Sequence, residues 1–124
     1  MKMLEIGYNL GFSYQMWLEY FPQGKVYFME KDHGVKFPEA RFTGDQSKMA
    51  DLSRLLKTKG LEGDLDFIID DGSHHPEHQM ISFTYLFQHG LKPGTGTTVS
   101  HNATPNRFHH IIVLFCCNCC IYVR

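Results

Sequence analysis

Asp66-Phe67-Ile68-Ile69-Asp70-Asp71-Gly72-Ser73-His74-His75-Pro76-Glu77-His78 is the stretch whose reading decides the fold. Residues 66–70 are apolar in the middle and tipped by carboxylates, as in a strand of a buried parallel sheet. Gly72 permits a sharp turn, and Pro76 suits the first turn of a helix. Glu77 then lies near the positive end of that helix. A strand therefore runs into a helix through a turn holding two acids and several histidines. That is more polarity than a helix cap needs. Asp and His supply metal ligands, and His is the usual general base near neutral pH. A hard divalent ion prefers oxygen, which favours Asp71 over His74 as a ligand.

The same strand–turn–helix unit recurs toward the N-terminus. Met3-Leu4-Glu5-Ile6 is a short apolar run ended by Gly7, and Gly7 and Gly11 bracket a loop. Ser13 is read as the N-cap of a helix to about residue 21, closed by Pro22 and Gly24. Met16, Trp17, Tyr20 and Phe21 recur at helical spacing and are expected to form its buried face. Residues 25–29 form a second strand rich in β-formers, and residues 41–43 a weaker third. A second helix runs from about Ser47 to Lys59, with Met49, Leu52, Leu55 and Leu56 on one face and Gly60 just past its end. After the deciding stretch, Ile81, Tyr85 and Leu86 mark the apolar face of a third helix, which Gly90 ends. Lys92-Pro93-Gly94 is a turn. The alternation predicts an α/β fold with a mostly parallel sheet and flanking helices.

Ligands of such sheets bind beyond the carboxyl ends of the strands. Four such ends carry polar groups. The first is the glycine loop, whose spacing departs from GxGxxG because Asn9 stands at the second glycine. The second is Glu30, about 20 residues beyond that loop, where an acid commonly accepts ribose hydroxyls; Asp32 competes for the role. The third is Gly44-Asp45-Gln46, where Asp45 either caps the next helix or faces an adenine amine. The fourth is the Asp70–His78 turn itself.

Read together, these strand ends resemble a class I S-adenosylmethionine-dependent methyltransferase, in particular the metal-dependent O-methyltransferases of the macrolide-sugar type. The resemblance rests on Leu4-Glu5-Ile6-Gly7 with Ser13 and Trp17, on Met29-Glu30, on Gly44-Asp45-Gln46 and on Asp70-Asp71-Gly72-Ser73-His74. Phe83, Leu86-Phe87 and Leu91-Lys92-Pro93-Gly94 complete it. It covers residues 3–94 and implies a Rossmann-like fold. By the resemblance, Glu5 and Gly7 would shape the methionine pocket, Glu30 would hold the ribose, and Asp45 and Gln46 would lie near adenine. Gly11, Ser13 and Asp70 join them as cofactor-binding positions. Asp71 would be a magnesium ligand. His74 would be the general base, taking a proton from a small-molecule hydroxyl as its oxygen attacks the methyl group. The implied cofactors are S-adenosylmethionine and magnesium.

Residues 95–124 depart from that pattern. No acid follows Glu77, whereas the family completes its metal site with a later Glu-Asp pair. The site would keep Asp71 and lose two carboxylates; His101, His109 and His110 are poor substitutes for magnesium. All four cysteines, Cys116, Cys117, Cys119 and Cys120, lie here. They lack the two separated knuckles of a zinc site, and adjacent cysteines pair badly. Two domains are therefore read: residues 1–94, a partial S-adenosylmethionine-binding domain, and residues 95–124, a divergent Cys-rich apolar tail. The sheet is expected to be incomplete at its C-terminal end. A truncated, catalytically inactive methyltransferase-like binding module is the alternative to an active enzyme.

Composition bounds the partners. The chain has 124 residues and a formal net charge of -1, with no basic footprint for nucleic acid. Its longest apolar stretch, residues 111–123, is interrupted by Asn118 and falls short of the roughly 20 residues that span a bilayer. The N-terminus shows no secretory h-region, so a cytoplasmic location is expected. An open sheet edge invites pairing and so allows a homo-oligomer, although the sequence does not fix the oligomeric state.

Overall fold

The computed structural model describes residues 1–31 and 41–93, together with the backbone of five further strands between residues 97 and 122. Asp32, the competitor of Glu30, lies outside the described residues, as do His101, His109, His110 and the cysteine side chains. The elements of the first part are β1 (Lys2–Ile6), α1 (Phe12–Tyr20), β2 (Lys25–Glu30), β3 (Arg41–Thr43), α2 (Met49–Lys59), β4 (Phe67–Asp70) and α3 (Pro76–His89). β5 (Thr97–Ser100) follows, then the antiparallel pairs β6 (Ala103–Thr104) with β7 (Arg107–Phe108) and β8 (Val113–Cys116) with β9 (Cys119–Tyr122).

β1 to β5 form one parallel sheet in the order β3-β2-β1-β4-β5. This is the predicted α/β architecture. β5 adds a strand that the sequence reading left unassigned, and it falls within the segment read as a tail. Thr97-Thr98-Val99-Ser100 has no apolar run, although threonine and valine favour strands.

Strand alternation sorts the side chains between two faces. Leu4 and Ile6 point to the side of α2 and α3, where they join Met29, Leu52, Leu55 and Leu86 in the main core. Glu5 points the other way, toward α1. Gly60 ends α2 in the left-handed conformation, φ 62°, as expected of a residue at that position. Pro76 opens α3.

Three local expectations are corrected. Ser13 does not cap α1; Gly11 does, at φ 78°, and Ser13 sits inside the first turn. The stripe read as the buried face of α1 is half right: Trp17 and Phe21 are partly buried, the other two residues are not. Met16 and Tyr20 are exposed, and the half-buried positions are Ser13, Tyr14 and Trp17. Apolar residues cover all of this helix except a strip at Gln15 and Glu19, so periodicity alone chose the face poorly. Met49 stands 62% exposed at the start of α2, whereas Leu52, Leu55 and Leu56 are buried as expected.

Leu4 is fully buried at the centre of the sheet. Leu4→Ala should cost about 2–5 kcal/mol in urea denaturation, while Met80→Ala on exposed α3 surface should stay within about 0.5 kcal/mol. Equal effects at the two positions would contradict this core.

Candidate active site

Register fixes the site. Ile6 pairs with Met29 on one side and with Asp70 on the other. The chain therefore leaves β1, β2 and β4 at one edge, at Gly7, Glu30 and Asp71. A cavity of about 580 Å³ opens there, within the usual range of small-molecule sites. Gly7, Gly11, Ser13, Glu30, Asp71 and His74 all line it.

Two glycines make this edge possible. Gly7 has φ 93°, and a Cβ there would run into the backbone carbonyl of Asp71. The loop thus lies directly against the end of β4, an approach only glycine permits. Gly72 is packed as tightly against the Gln46 side chain. Between the glycines, Asn9 takes φ 46°, and His74 takes φ 57° on the opposite wall. Positive φ at such residues is uncommon and concentrates at functional sites.

The four carboxylates at this edge have different surroundings. Glu30 Oε2 accepts the backbone N–H of Tyr8 at 3.0 Å and of Asn9 at 3.3 Å, and Oε1 accepts that of Lys31 at 2.7 Å. It ties the glycine loop to the end of β2. Glu5 is only 2% exposed and faces α1. Burial pushes its carboxyl up from the ordinary value; the Ser13 hydroxyl and the Trp17 indole pull it back, and the charge of Asp71 adds to the rise. Glu5 Oε2 and Trp17 Nε1 are both buried without completing a hydrogen bond. Asp70 is buried below the cavity, accepting from Gln46 and Ser82. Asp71 instead turns outward, its side chain 51% exposed, with Oδ1 3.8 Å from His74 Nε2.

The other sequence-derived positions sit beside or beneath the cavity. Gln46 is buried and bonded to Asp70. Asp45 lies in an adjoining depression with Lys31, Lys48 and Arg54. Its carboxyl is held far below the ordinary value, first by the Ser47 hydroxyl at 2.7 Å and also by Lys31 at 3.0 Å. Asp45 makes an Asx turn to the Ser47 N–H; α2 has no side-chain cap. Sequence reasoning missed Gln79 and Ser82, buried in α3 in line with Leu86. The signal was available: polar residues four and seven positions before an apolar one share its helix face. It also missed Tyr8, whose ring stacks 4.3 Å from Phe28 and underlies Gly11.

No protein-family model matches the chain. Mycinamicin VI 2''-O-methyltransferase of Micromonospora griseorubida is 37% identical over 87 residues, covering 68% of this chain and 21% of that protein. Demethylmacrocin O-methyltransferase of Streptomyces fradiae matches with the same identity and coverage. Among solved structures, MycE methyltransferase from the mycinamycin pathway, in complex with Mg, SAH and mycinamycin VI, superposes with a TM-score of 0.70. It is 31% identical and covers 81% of this chain and 29% of that chain. Over the part that matches, the chain belongs to the class I S-adenosylmethionine-dependent O-methyltransferases. It spans about a fifth of the length of these curated relatives.

The donor set fits the family's cofactor. The Glu30 carboxylate suits a diol, and the glycine loop leaves room against β4 that a side chain would fill. A divalent cation fits less well. Among the described residues no group of three His, Cys, Asp or Glu side chains is placed to hold a metal, and Asp71 stands as a single oxygen donor.

Burial of Glu5 has a cost that depends on pH. A carboxyl whose folded pKa is raised destabilises the fold once pH exceeds its unfolded value, here 4.5. Glu5→Gln should therefore melt above wild type at pH 7, and the gap should close as pH falls below 4.5. A lower melting temperature for the variant at pH 7 would contradict the assignment.

Proposed function

We propose that the chain binds S-adenosylmethionine at the carboxyl ends of β1, β2 and β4. We further propose that it serves in methyl transfer to a hydroxyl of a glycosylated macrolide or polyketide. The observation that carries the reading is the cavity bounded on one side by the glycine loop and Glu30, and on the other by Asp71 and His74. When bound, S-adenosylmethionine supplies an electrophilic methyl group on a sulfonium.

The chain's own residues divide the work. Glu30 holds the ribose hydroxyls, exchanging part of its bonding to the loop for them. Gly7 and Gly11 let the backbone approach, and Ser13 meets the amino-acid part, with Glu5 orienting it from beneath. His74 Nε2 takes the proton of the acceptor hydroxyl as its oxygen bonds to the methyl carbon and the carbon–sulfur bond breaks. Transfer from a sulfonium is mainly a positioning problem, which a rigid strand-end site serves. No step is assigned to magnesium here, because the described donor set does not complete its shell. The inactive-module reading is not favoured, since the relatives compared above are all named as methyltransferases.

Calorimetry with S-adenosylmethionine and S-adenosylhomocysteine tests the cofactor half. Glu30→Ala should weaken binding about tenfold or more, the effect of losing hydrogen bonds to a charged group. No heat from wild type at millimolar cofactor would overturn the reading. His74→Ala should keep cofactor affinity and abolish methylation of an acceptor such as mycinamicin VI. Unchanged turnover would remove His74 from the base role.

A further inference from the structure

The cavity floor contains a buried hydrogen-bonded unit that makes no contact with the cavity itself. Gln46 Nε2 donates to both oxygens of Asp70 at 3.0 Å. Ser82 Oγ donates to Asp70 Oδ2 and is 3.1 Å from the carbonyl of Gln79. Gln46 Oε1 accepts the backbone N–H of Ser73 at 2.7 Å, and Asp70 Oδ1 accepts that of Gly72 at 3.3 Å. Gln46, Asp70 and Ser82 are respectively 6%, 3% and 1% exposed.

The unit gathers three separate elements: the loop after β3, the end of β4 and the second turn of α3. Two of its bonds reach out to the backbone of Gly72 and Ser73, the residues between Asp71 and His74, and the others hold the unit together. We propose that Gln46, Asp70 and Ser82 are positioning residues that clamp this turn, and so set where Asp71 and His74 stand at the cavity. The inference rests on the cofactor-binding reading above for its functional meaning, but the clamp is defined by geometry alone.

Three features support it. A residue following an unconstrained turn has little reason to hold φ 57°, yet His74 does. The Gln46 amide occupies the space where any side chain at position 72 would go, so the amide and the glycine require each other. A buried aspartate with this many donors is fully used by the fold, which leaves it unavailable as a ligand and rigid as an anchor. The clamp therefore acts through other residues rather than on the reacting atoms.

The test compares Gln46→Ala, Ser82→Ala, Ser82→Thr and the core control Leu86→Val in the full chain. Two quantities are read: amide hydrogen exchange at Ser73 and calorimetric affinity for S-adenosylhomocysteine. Ser73 should exchange about tenfold faster in Gln46→Ala and Ser82→Ala, with affinity lower by about the same factor because Gly72 and Ser73 themselves line the cavity. Ser82→Thr keeps the hydroxyl and should bring both back to within about twofold of wild type. Leu86→Val should lower the melting temperature yet leave Ser73 exchange, relative to β1 amides, and affinity unchanged. Unchanged Ser73 exchange in the alanine variants would overturn the clamp. So would a loss of affinity in Leu86→Val as large as that in Ser82→Ala. If Gln46→Ala does not fold, Ser82→Ala and its threonine rescue carry the same comparison. If wild type itself gives no heat, the cofactor reading fails, and Ser73 exchange alone decides the clamp.

Discussion

β1 hydrogen-bonds to β2 on one side and β4 on the other, both parallel, and the rest of the site depends on this pairing. Parallel pairing brings three carboxyl ends to one edge. The register then sets Gly7, Glu30 and Asp71 beside one another. A slip of one residue would turn Glu5 into the main core and Leu4 and Ile6 toward α1. The apolar cost of that slip is what specifies the register, so the core of Leu4, Ile6, Met29 and Ile68 holds the chemistry in place.

Each carboxylate at this edge is treated according to the direction its strand gives it. Glu30, at the tip of β2, is satisfied by three backbone N–H groups and orders the loop above it. Glu5, one residue short of the end of β1, is buried on the α1 face and raised by that burial. Asp70 ends β4 facing α3 and is absorbed by Gln46 and Ser82. Asp71 is one residue further, beyond the last pairing, and stands in the open. Two adjacent aspartates therefore do unlike things because a strand alternates its faces. A raised carboxyl and positive-φ residues in one place mark a site where local stability gives way to function.

Much of this was legible in the sequence. Strands β1, β2 and β4 are apolar runs bounded by glycine or acid, and Gly60, Pro76 and Gly90 punctuate the helices as their conformational preferences require. Glu30, Asp71 and His74 were legible as strand-end residues because topology alone sends those ends to a binding edge. Gln46 was not. A glutamine after a strand can face a ligand or the fold with equal ease, and only the packing of Gly72 against its amide decides between them. Ser13 was misplaced for a related reason: a serine near a helix start suggests a cap, but Gly11 in the left-handed region begins the helix two residues earlier. β5 escaped because its threonines carry strand propensity without an apolar signal.

Residue-resolved NMR of the full chain during titration with S-adenosylhomocysteine tests the central claim, that the cofactor binds at the shared carboxyl edge of β1, β2 and β4. The amides of Gly7, Gly11, Lys31, Gly72 and His74 should shift together and saturate together, while Met80 and His89, which line a separate groove of α3 beside Met49 of α2, stay fixed. Shifts confined to that groove, or no shifts at millimolar ligand, would contradict it.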